Sequence, residues 1–322
     1  MDAINSLLLK ERSSYYQLTD EQKQCVEVAR VGKDLKIKAF AGSGKTSTLV
    51  AISRELSGKG LYLAYNKAIQ IDVARKFPSH VDCKTAHSIA YRATAYQIKD
   101  RVRTLSIFDI LRYIEIKHIY CYDESDVAYL TLKVLRVFVN SDRKEIDKKF
   151  KYSGVLDDVR GEKLEETEAI KDYVIGRAAE YWKQCTERGA VIPIEHDFYL
   201  KMYQLSSPDL SSIYDFILFD ECQDANPVLL DILLKQKCQK IYVGDEHQQS
   251  GQCLVPGQTE FHRSLDRIDG VAAGIGQTDH LCLGSLCLQQ ERGEIRGVER
   301  MTHCALDLAT GALDPTPRIT FQ

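Results

Sequence analysis

The sequence lacks the features that mark secreted, membrane-spanning and zinc-binding proteins. No stretch approaches the run of about 18 apolar residues that a membrane-crossing helix needs, and residues 1–5 have no basic or apolar region of a secretory signal. The ten cysteines include no Cys-x-x-Cys pair, which disfavours a zinc ribbon or a redox dithiol and favours reduced thiols. We therefore expect an intracellular protein without a membrane partner, in the cytoplasm or nucleoid, or in the nucleus if the source is eukaryotic.

The chain also lacks a marked net charge. Its 43 Lys and Arg nearly balance its 46 Asp and Glu, which gives a net charge of −3. This excludes a globally basic nucleic-acid binder, but it leaves room for a local groove lined by lysine and arginine. With 322 residues, the chain is long enough for one large or two ordinary domains.

The composition changes sharply near residue 250. Residues 250–322 contain no lysine, tyrosine, asparagine or tryptophan, and they hold nine of the chain's 19 glycines. One interpretation is a Gly-rich, loosely folded extension. The other is a divergent tail that arose by a frameshift, by premature termination or by replacement of part of the gene.

Before this break, the apolar pattern predicts strands that alternate with helices. Strand character is clear at residues 35–40, 60–65, 214–219 and 240–243. Such alternation implies an α/β fold with a parallel sheet. From about residue 91 to 195 the apolar residues recur at helical spacing, which indicates a helical insertion. The expected organisation is a sheet domain of residues 1–91 plus 196–249, a helical insertion of residues 92–195, and the tail of residues 250–322.

A glycine-rich run, Ala39-Phe40-Ala41-Gly42-Ser43-Gly44-Lys45-Thr46, follows the first predicted strand and precedes a helix. Glycines let consecutive backbone N–H groups turn toward phosphate oxygens, and the helix N-terminus adds partial positive charge. Lys45 would reach the β- and γ-phosphates, and the Thr46 hydroxyl would ligate Mg²⁺. The general phosphate-loop pattern has glycine where this chain has Ala39, so an incidental glycine-rich turn stays open at this point.

An acidic cluster, Asp220-Glu221-Cys222-Gln223-Asp224, follows the apolar strand at 216–219. It falls where an α/β sheet binds its ligands, at the carboxyl ends of the strands. Asp220 would hold the hydration shell of Mg²⁺, and Glu221 would orient and deprotonate the attacking water. By itself the cluster is equally compatible with a solvated acidic loop. After the next strand, Gln248 would hydrogen-bond the γ-phosphate, although Gly-Asp after a strand is also an ordinary turn.

In this order the motifs resemble those of superfamily 1 DNA helicases of the UvrD/Rep type, and their wording is closest to the F-box DNA helicase branch, over about residues 17–249. That family accepts alanine at the first position of its phosphate loop, so Ala39 fits. Asp-Glu-x-Gln-Asp is its typical acidic motif, and Cys222 replaces a usual alanine. The resemblance implies a RecA-like P-loop NTPase sheet with a helical insertion subdomain. It also implies an ATP-dependent and Mg²⁺-dependent DNA helicase of the 3′-to-5′ type.

The resemblance implies roles for further residues. Gln22 would read the adenine edge, although Thr19 and Gln22 also match a helix capping box. Gln223 would couple the nucleotide state to the DNA-facing side. The implied nucleotide-binding residues are Gln22, Ala41, Gly42, Ser43, Gly44, Lys45, Thr46 and Ser47. The implied catalytic residues are Lys45, Glu221 and Gln248, and the implied metal ligands are Thr46 and Asp220.

Two short segments resemble the family's contacts with single-stranded DNA. They contribute Tyr65, Asn66 and Lys67 from the first segment, and Thr85 and His87 from the second. These side chains would touch the backbone or stack on bases. Taken in isolation, His87 is more typical of a structural histidine. The expected partner is single-stranded DNA or DNA with a single-stranded tail, and the sequence identifies no protein partner.

Two functions remain open at the level of the sequence. The family has a second RecA-like domain that supplies arginine fingers, and nothing in residues 250–322 matches it. The chain is therefore expected to be a helicase or its N-terminal ATP-binding half, or else a truncated and catalytically weak module that binds ATP and single-stranded DNA. A P-loop kinase or small GTPase is disfavoured because neither explains Gln22, Gln223 and Gln248 together.

Overall fold

A parallel β-sheet lies at the centre of the fold. The structure is a computed structural model that describes residues 18–40, 42–98, 100–149, 152, 154–245 and 271–275. The strands are β1 Leu35–Ala39, β2 Gly60–Ala64, β3 Val81–Thr85, β4 Phe216–Phe219, β5 Gln239–Gly244 and β6 Val271–Ile275. Their order in the sheet is β3-β2-β4-β5-β1-β6, and every neighbouring pair is parallel. The predicted α/β class is confirmed.

Because the strands are parallel, their carboxyl ends meet at one edge of the sheet, which we call the strand-end edge. β5 lies between β1 and β4 at this edge. In the register, Lys38 of β1 pairs with Gly244, and Phe219 of β4 pairs with Tyr242. The loops that follow β1 and β4 are therefore separated by the width of one strand.

The described helices lie before β1 and between β1 and β5 along the chain. They are α1 Asp20–Ala29, α2 Lys45–Glu55, α3 Lys67–Ala74, α4 Ala86–Ile98, α5 Ile107–Tyr113, α6 Glu124–Val139, α7 Leu164–Thr186, α8 His196–Leu205 and α9 Pro227–Leu234. Side-chain oxygens cap several of them, since Thr19, Asn66, Asp123 and Asn226 each accept a backbone N–H in the first turn.

Both faces of the sheet are buried against helices. On one face, Tyr62, Phe216 and Leu218 belong to an apolar core that includes residues of α1, α2 and α3. On the other face, Leu61 and Phe219 belong to a larger core that extends through α4 to α9. The alternation of side chains along each strand thus divides the sheet between two cores.

Several elements were not predicted from the sequence, among them β3, α3 and β6. β3 is an edge strand in which only Val81 is buried, so its apolar signal is weak. α3 is short, and only Val73 in it is buried. β6 lies in the Gly-rich tail, where it pairs with β1 from Leu35↔Val271 to Ala39↔Ile275.

The described residues bear on two expectations from the sequence, which concern the cysteines and membrane-crossing helices. The six cysteines among them, Cys25, Cys83, Cys121, Cys185, Cys222 and Cys238, are all free thiols. No helix in the described ranges combines the length and the apolar character needed to cross a bilayer.

The helical layer contains a buried lysine. Lys201 of α8 is fully buried, and its Nζ donates to the carbonyl oxygen of Ser141 at 2.8 Å and to that of Arg143. The Nζ also lies 4.5 Å from the centroid of the Phe138 ring. Burial lowers the pKa of Lys201 to about 7, although the nearby Asp142 and Asp231 carboxylates oppose the shift. The amine therefore ties α8 to the turn after α6.

Lys201 should make the stability depend on pH on the alkaline side. An unfolded lysine has a pKa near 10.4, so between about pH 7 and pH 10 the unfolded chain binds more protons than the folded chain. The free energy of unfolding should then rise with pH in this window, by on the order of 4 kcal/mol from this residue. Lys201→Met should remove that component, which urea denaturation at several pH values can measure.

The control for this experiment is Lys183→Met, at an exposed position of α7. It should leave the pH dependence as in the unsubstituted protein. A difference between the unsubstituted protein and Lys201→Met that stays constant from pH 7 to pH 10 would contradict the depressed pKa.

Candidate active site

The predicted phosphate loop leads from β1 into α2. Gly42 and Gly44 both adopt left-handed conformations, with φ of 75° and 82°, which glycine allows without strain. Among the described residues no side chain caps α2 at Gly44, so the N–H groups of its first turn face the loop. Ser43 Oγ is buried and has no hydrogen-bond partner in the same described set. These groups suit a bound anion. Ala41, which was also predicted to bind the nucleotide, lies outside the described residues.

Lys45 opens α2 and contacts the acidic motif that follows β4. Its side chain is only 10% exposed, and its Nζ donates to Glu221 Oε2 at 2.7 Å. Gln223 Nε2 donates to the same oxygen at 2.7 Å. Glu221 has φ of 51° and ψ of 45°, a conformation that costs a non-glycine residue on the order of 1 kcal/mol or more. Two donors therefore hold a strained glutamate at the end of β4.

Asp220 joins the phosphate loop to the sheet. Its Oδ2 accepts from Thr46 Oγ1 at 3.2 Å and from the Tyr62 hydroxyl at 2.9 Å, and its Oδ1 accepts from the backbone N–H of Glu221 at 3.0 Å. Burial raises the pKa of Asp220 and the Glu221 charge adds to this, whereas the three donors oppose it. Thr46 and Asp220, the two predicted metal ligands, are thus in direct contact.

Tyr62 is a site residue that sequence reasoning missed. It lies in the buried strand Gly-Leu-Tyr-Leu-Ala of β2 and is itself fully buried. A buried tyrosine usually has a hydrogen-bond partner for its hydroxyl. The position of Tyr62 in an apolar strand was therefore the sign in the sequence that its hydroxyl has such a partner. The identity of that partner, Asp220, depends on the pairing of β2 with β4.

Gly244 makes room for the acidic motif. A Cβ at this position would lie 2.6 Å from Cys222 Sγ and 2.6 Å from Gln223 Oε1, distances that real Cβ atoms do not reach. Gln223 Oε1 also accepts the backbone N–H of Asp245 at 3.1 Å. The motif after β4 therefore lies across the end of β5, toward the loop after β1.

Gln22 lies against the phosphate loop. Its Oε1 accepts the backbone N–H of Thr19 at 3.1 Å, and the Thr19 hydroxyl accepts the N–H of Gln22 at 3.3 Å. This confirms the predicted capping box. The Gln22 Nε2 donates to Thr48 Oγ1 at 3.1 Å and lies 2.9 Å from the place where a Cβ of Gly44 would stand. Its role in reading adenine stays a prediction.

The residues predicted to contact DNA lie at the carboxyl end of β3 or directly after β2 and β3. These two strands are neighbours, so the residues share one end of the strand-end edge. Tyr65 is 60% exposed, and Lys67 Nζ donates to Gln70 Oε1 at 2.7 Å. Asn66 Oδ1 accepts the N–H of Ile69 at 2.9 Å, so this side chain caps α3.

The second predicted DNA segment is built into the start of α4. Thr85 and Ser88 exchange backbone-to-hydroxyl hydrogen bonds of 3.1 Å. The His87 ring packs edge-to-face on Tyr199, and its Nε2 lies 3.8 Å from Asp197 Oδ1. Burial lowers the pKa of His87, although Asp197 opposes the shift. Its Nδ1 is buried without a hydrogen-bond partner among the described residues, and the role of His87 in binding DNA stays a prediction. Gln248 lies outside the described residues.

Residues 18–249 match the model of the UvrD/REP helicase N-terminal domain. The chain belongs to this helicase family. Its α/β sheet is the RecA-like sheet of the family, as the motifs had predicted.

Two relatives of this UvrD/Rep-type chain are F-box DNA helicases. The chain is 32% identical over 249 residues to F-box DNA helicase 1 of Gallus gallus, an alignment that covers 73% of this chain and 24% of that protein. It is also 32% identical over 250 residues to F-box DNA helicase protein 1 of Schizosaccharomyces pombe, covering 72% and 28%. The resemblance to the F-box DNA helicase branch is confirmed. The aligned region spans about a quarter of the length of these relatives.

Tyr62→Phe should weaken Mg²⁺ binding. Without the hydroxyl, the buried Asp220 loses one of the three donors that hold its carboxylate in place, so the carboxylate should be less well positioned and should bind the cation less well. We expect the Mg²⁺ concentration for half-maximal nucleotide binding to rise about 10-fold, as for a lost hydrogen bond to a charged group. Titration of Mg²⁺ against a fluorescent ATP analogue would measure this.

The matched control for this titration is Tyr242→Phe in β5. The Tyr242 hydroxyl is buried but has no hydrogen-bond partner among the described residues. This variant should keep the Mg²⁺ dependence of the unsubstituted chain. Equal behaviour of the two variants would show that Tyr62 does not position Asp220.

Proposed function

We propose that this chain binds Mg·ATP at the strand-end edge between β1 and β4 and hydrolyses it as the ATP-binding portion of a DNA helicase. The proposal depends chiefly on one observation: Lys45 and Thr46 contact Glu221 and Asp220, although 176 and 174 residues separate the members of each pair. The uncapped turn of α2 and the buried Ser43 hydroxyl fit the phosphates of the nucleotide.

Lys45 and Glu221 have complementary roles in this proposal. Lys45 Nζ binds the β- and γ-phosphates, and Glu221 accepts a proton from the attacking water. Because Nζ now donates to Glu221 Oε2, phosphates that attract the ammonium would release the carboxylate. The base would therefore become available only when nucleotide is bound.

The remaining polar groups of the site support these two residues. Thr46 Oγ1 and Asp220 would hold Mg²⁺, which neutralises phosphate charge when it is bound. Gln223 bridges Glu221 and the backbone of Asp245. A change in the position of Glu221 would thus reach the end of β5 through one side chain, which agrees with a coupling role for Gln223.

We also propose that DNA binds at the strand-end edge near β2 and β3. The two relatives are named DNA helicases, and the exposed Tyr65 offers a ring on which a base can stack. A preference for single-stranded DNA or for a single-stranded tail, movement in the 3′-to-5′ direction and an intracellular location belong to the same proposal. We also propose the division into a sheet domain of residues 1–91 plus 196–249, a helical insertion of residues 92–195 and a tail of residues 250–322.

Phosphate release with and without single-stranded DNA would test ATP hydrolysis. Lys45→Ala should abolish nucleotide binding, because it removes the buried cation of the phosphate loop. Glu221→Gln should retain nucleotide binding and lower turnover by about 10²-fold to 10⁴-fold, the usual contribution of a general base. The control is Glu165→Gln, at an exposed position of α7, which should keep full activity.

The same assay distinguishes the two candidate functions. Turnover that DNA stimulates, that Lys45→Ala abolishes and that Glu221→Gln lowers would exclude a module without catalysis. Tight ATP binding with no turnover, with or without DNA, would contradict the enzyme and leave a module that binds ATP and DNA.

Gln22 should affect nucleotide choice and helix capping separately. Gln22→Ala loses both the acceptor for Thr19 and the Nε2 donor, whereas Gln22→Glu keeps the acceptor and loses only the donor. Both variants should show a reduced preference for ATP over GTP in competition binding, because the amide donor to adenine is gone. Only Gln22→Ala should lower the free energy of unfolding through the cap, by about 1 kcal/mol. An unchanged preference in both variants would limit Gln22 to capping.

A further inference from the structure

A basic surface lies beside the edge strand β3. An open cleft of about 650 Å³ is bounded by α3, β3, α4 and the segment before β4. Its cationic lining residues are Lys59, Lys67, Lys84 and Arg92, and its one acidic lining residue is Asp82. None of these four cationic residues has a role in the proposed ATP site.

The position of the cleft follows from the direction of the strands. Lys67 follows the carboxyl end of β2, close to the proposed DNA contacts, whereas Lys59 precedes β2 and Tyr214 precedes β4. Because β2, β3 and β4 are parallel, Lys59 and Tyr214 lie toward the opposite edge of the sheet. The cleft therefore extends along the open side of β3, away from the strand-end edge.

The charges within the cleft are organised around one carboxylate. Asp82 Oδ2 accepts from Lys84 Nζ at 3.0 Å and from the Tyr214 hydroxyl at 2.9 Å, and Lys59 Nζ lies 3.5 Å away. Burial raises the pKa of Asp82, but these donors outweigh it and the net shift is downward. The pKa of Lys84 is raised despite its burial, because Tyr214 and Asp82 favour its charged form. One negative charge thus faces two positive charges.

Two further cations have no carboxylate partner among the described residues. Arg92 is exposed on α4, one turn after Ser88, and no ion pair involves it within the described ranges. Lys67 donates to the neutral amide of Gln70. Together with the Asp82 cluster, these side chains give the cleft a net charge of about +3 at neutral pH.

We propose that this cleft is a second DNA-binding surface, which binds the phosphodiester backbone of a strand that continues from Tyr65 and Thr85 along β3. The inference rests on the proposed DNA binding at the strand-end edge, with which the cleft shares Lys67. Tyr214 is only 3% exposed and its hydroxyl accepts from Lys84 Nζ at 2.7 Å, so its ring is not available for base stacking. The contacts are therefore to phosphates and are independent of base sequence.

Binding of short and long oligothymidylates to the full chain tests this surface. A strand of about 5 nucleotides reaches only the strand-end edge, whereas one of about 15 nucleotides also reaches the cleft. The test variant is Lys59→Gln/Arg92→Gln, which keeps Lys84 and Tyr214 on Asp82. Fluorescence anisotropy should show roughly 10-fold weaker binding of the long strand at about 0.1 M salt, with the salt slope reduced by about 1.4. Binding of the short strand should not change.

The charge control is Lys117→Gln/Lys148→Gln, which removes two exposed lysines outside the cleft and should bind both strands as the unsubstituted chain does. Unchanged binding of the long strand by the cleft variant would overturn the cleft proposal and leave the strand-end site intact. An equal loss for both strands would also overturn it, because the two residues would then belong to the first site. Failure of the unsubstituted chain to bind either strand would overturn the proposed DNA function itself.

Polyglutamate is the probe for the competing acidic partner. If the chain binds polyglutamate, and the cleft variant loses this binding but keeps its affinity for the long strand, the surface binds an acidic protein segment and the DNA proposal is overturned. Equal affinity of both proteins for polyglutamate, together with the expected loss for the long strand, supports the DNA assignment.

Discussion

The active-site geometry depends on the absence of a side chain at Gly244. The loops that carry Lys45 and Glu221 follow strands that are not neighbours, because β5 lies between them. They can touch only if the acidic motif passes over the end of β5, and the 2.6 Å approach of Gln223 and Cys222 to a hypothetical Cβ shows how little room is left. A side chain at residue 244 would displace the side chains of Cys222 and Gln223, which follow Glu221 in the acidic motif.

The two carboxylates of the site differ in environment. Asp220 is 5% exposed and receives three hydrogen bonds, which compensate much of the cost of burying a charge. Glu221 is more exposed, is held by Lys45 and Gln223, and occupies a strained backbone region. Asp220 is therefore suited to a fixed position, whereas Glu221 can move when Lys45 finds another anion. A fixed metal ligand and a movable base are what the proposed chemistry requires.

The sequence predicted the features that depend on contiguous residues. The phosphate loop, the acidic motif and the capping box at Thr19 and Gln22 each lie within eight or fewer residues, so local spacing was enough. Tyr62 and Gly244 were missed because their roles arise from strand register, which brings distant residues together. β3 and β6 were missed because an edge strand and a glycine-rich strand carry weak apolar patterns. The basic cleft was also not predicted, because Lys59, Lys84 and Arg92 form no motif in the sequence.

The sheet order also constrains how the chain can fold. β2 and β3 pair with each other across a short stretch of sequence, but β1 pairs only with β5 and β6 among the described strands. During synthesis from the N-terminus, β1 therefore has both backbone edges unpaired until residues beyond the helical segment are available. Such long-range parallel pairing is slow and exposes the chain to aggregation. The unpaired backbone edges in this interval belong to residues 35–39, the same strand that later leads into the phosphate loop.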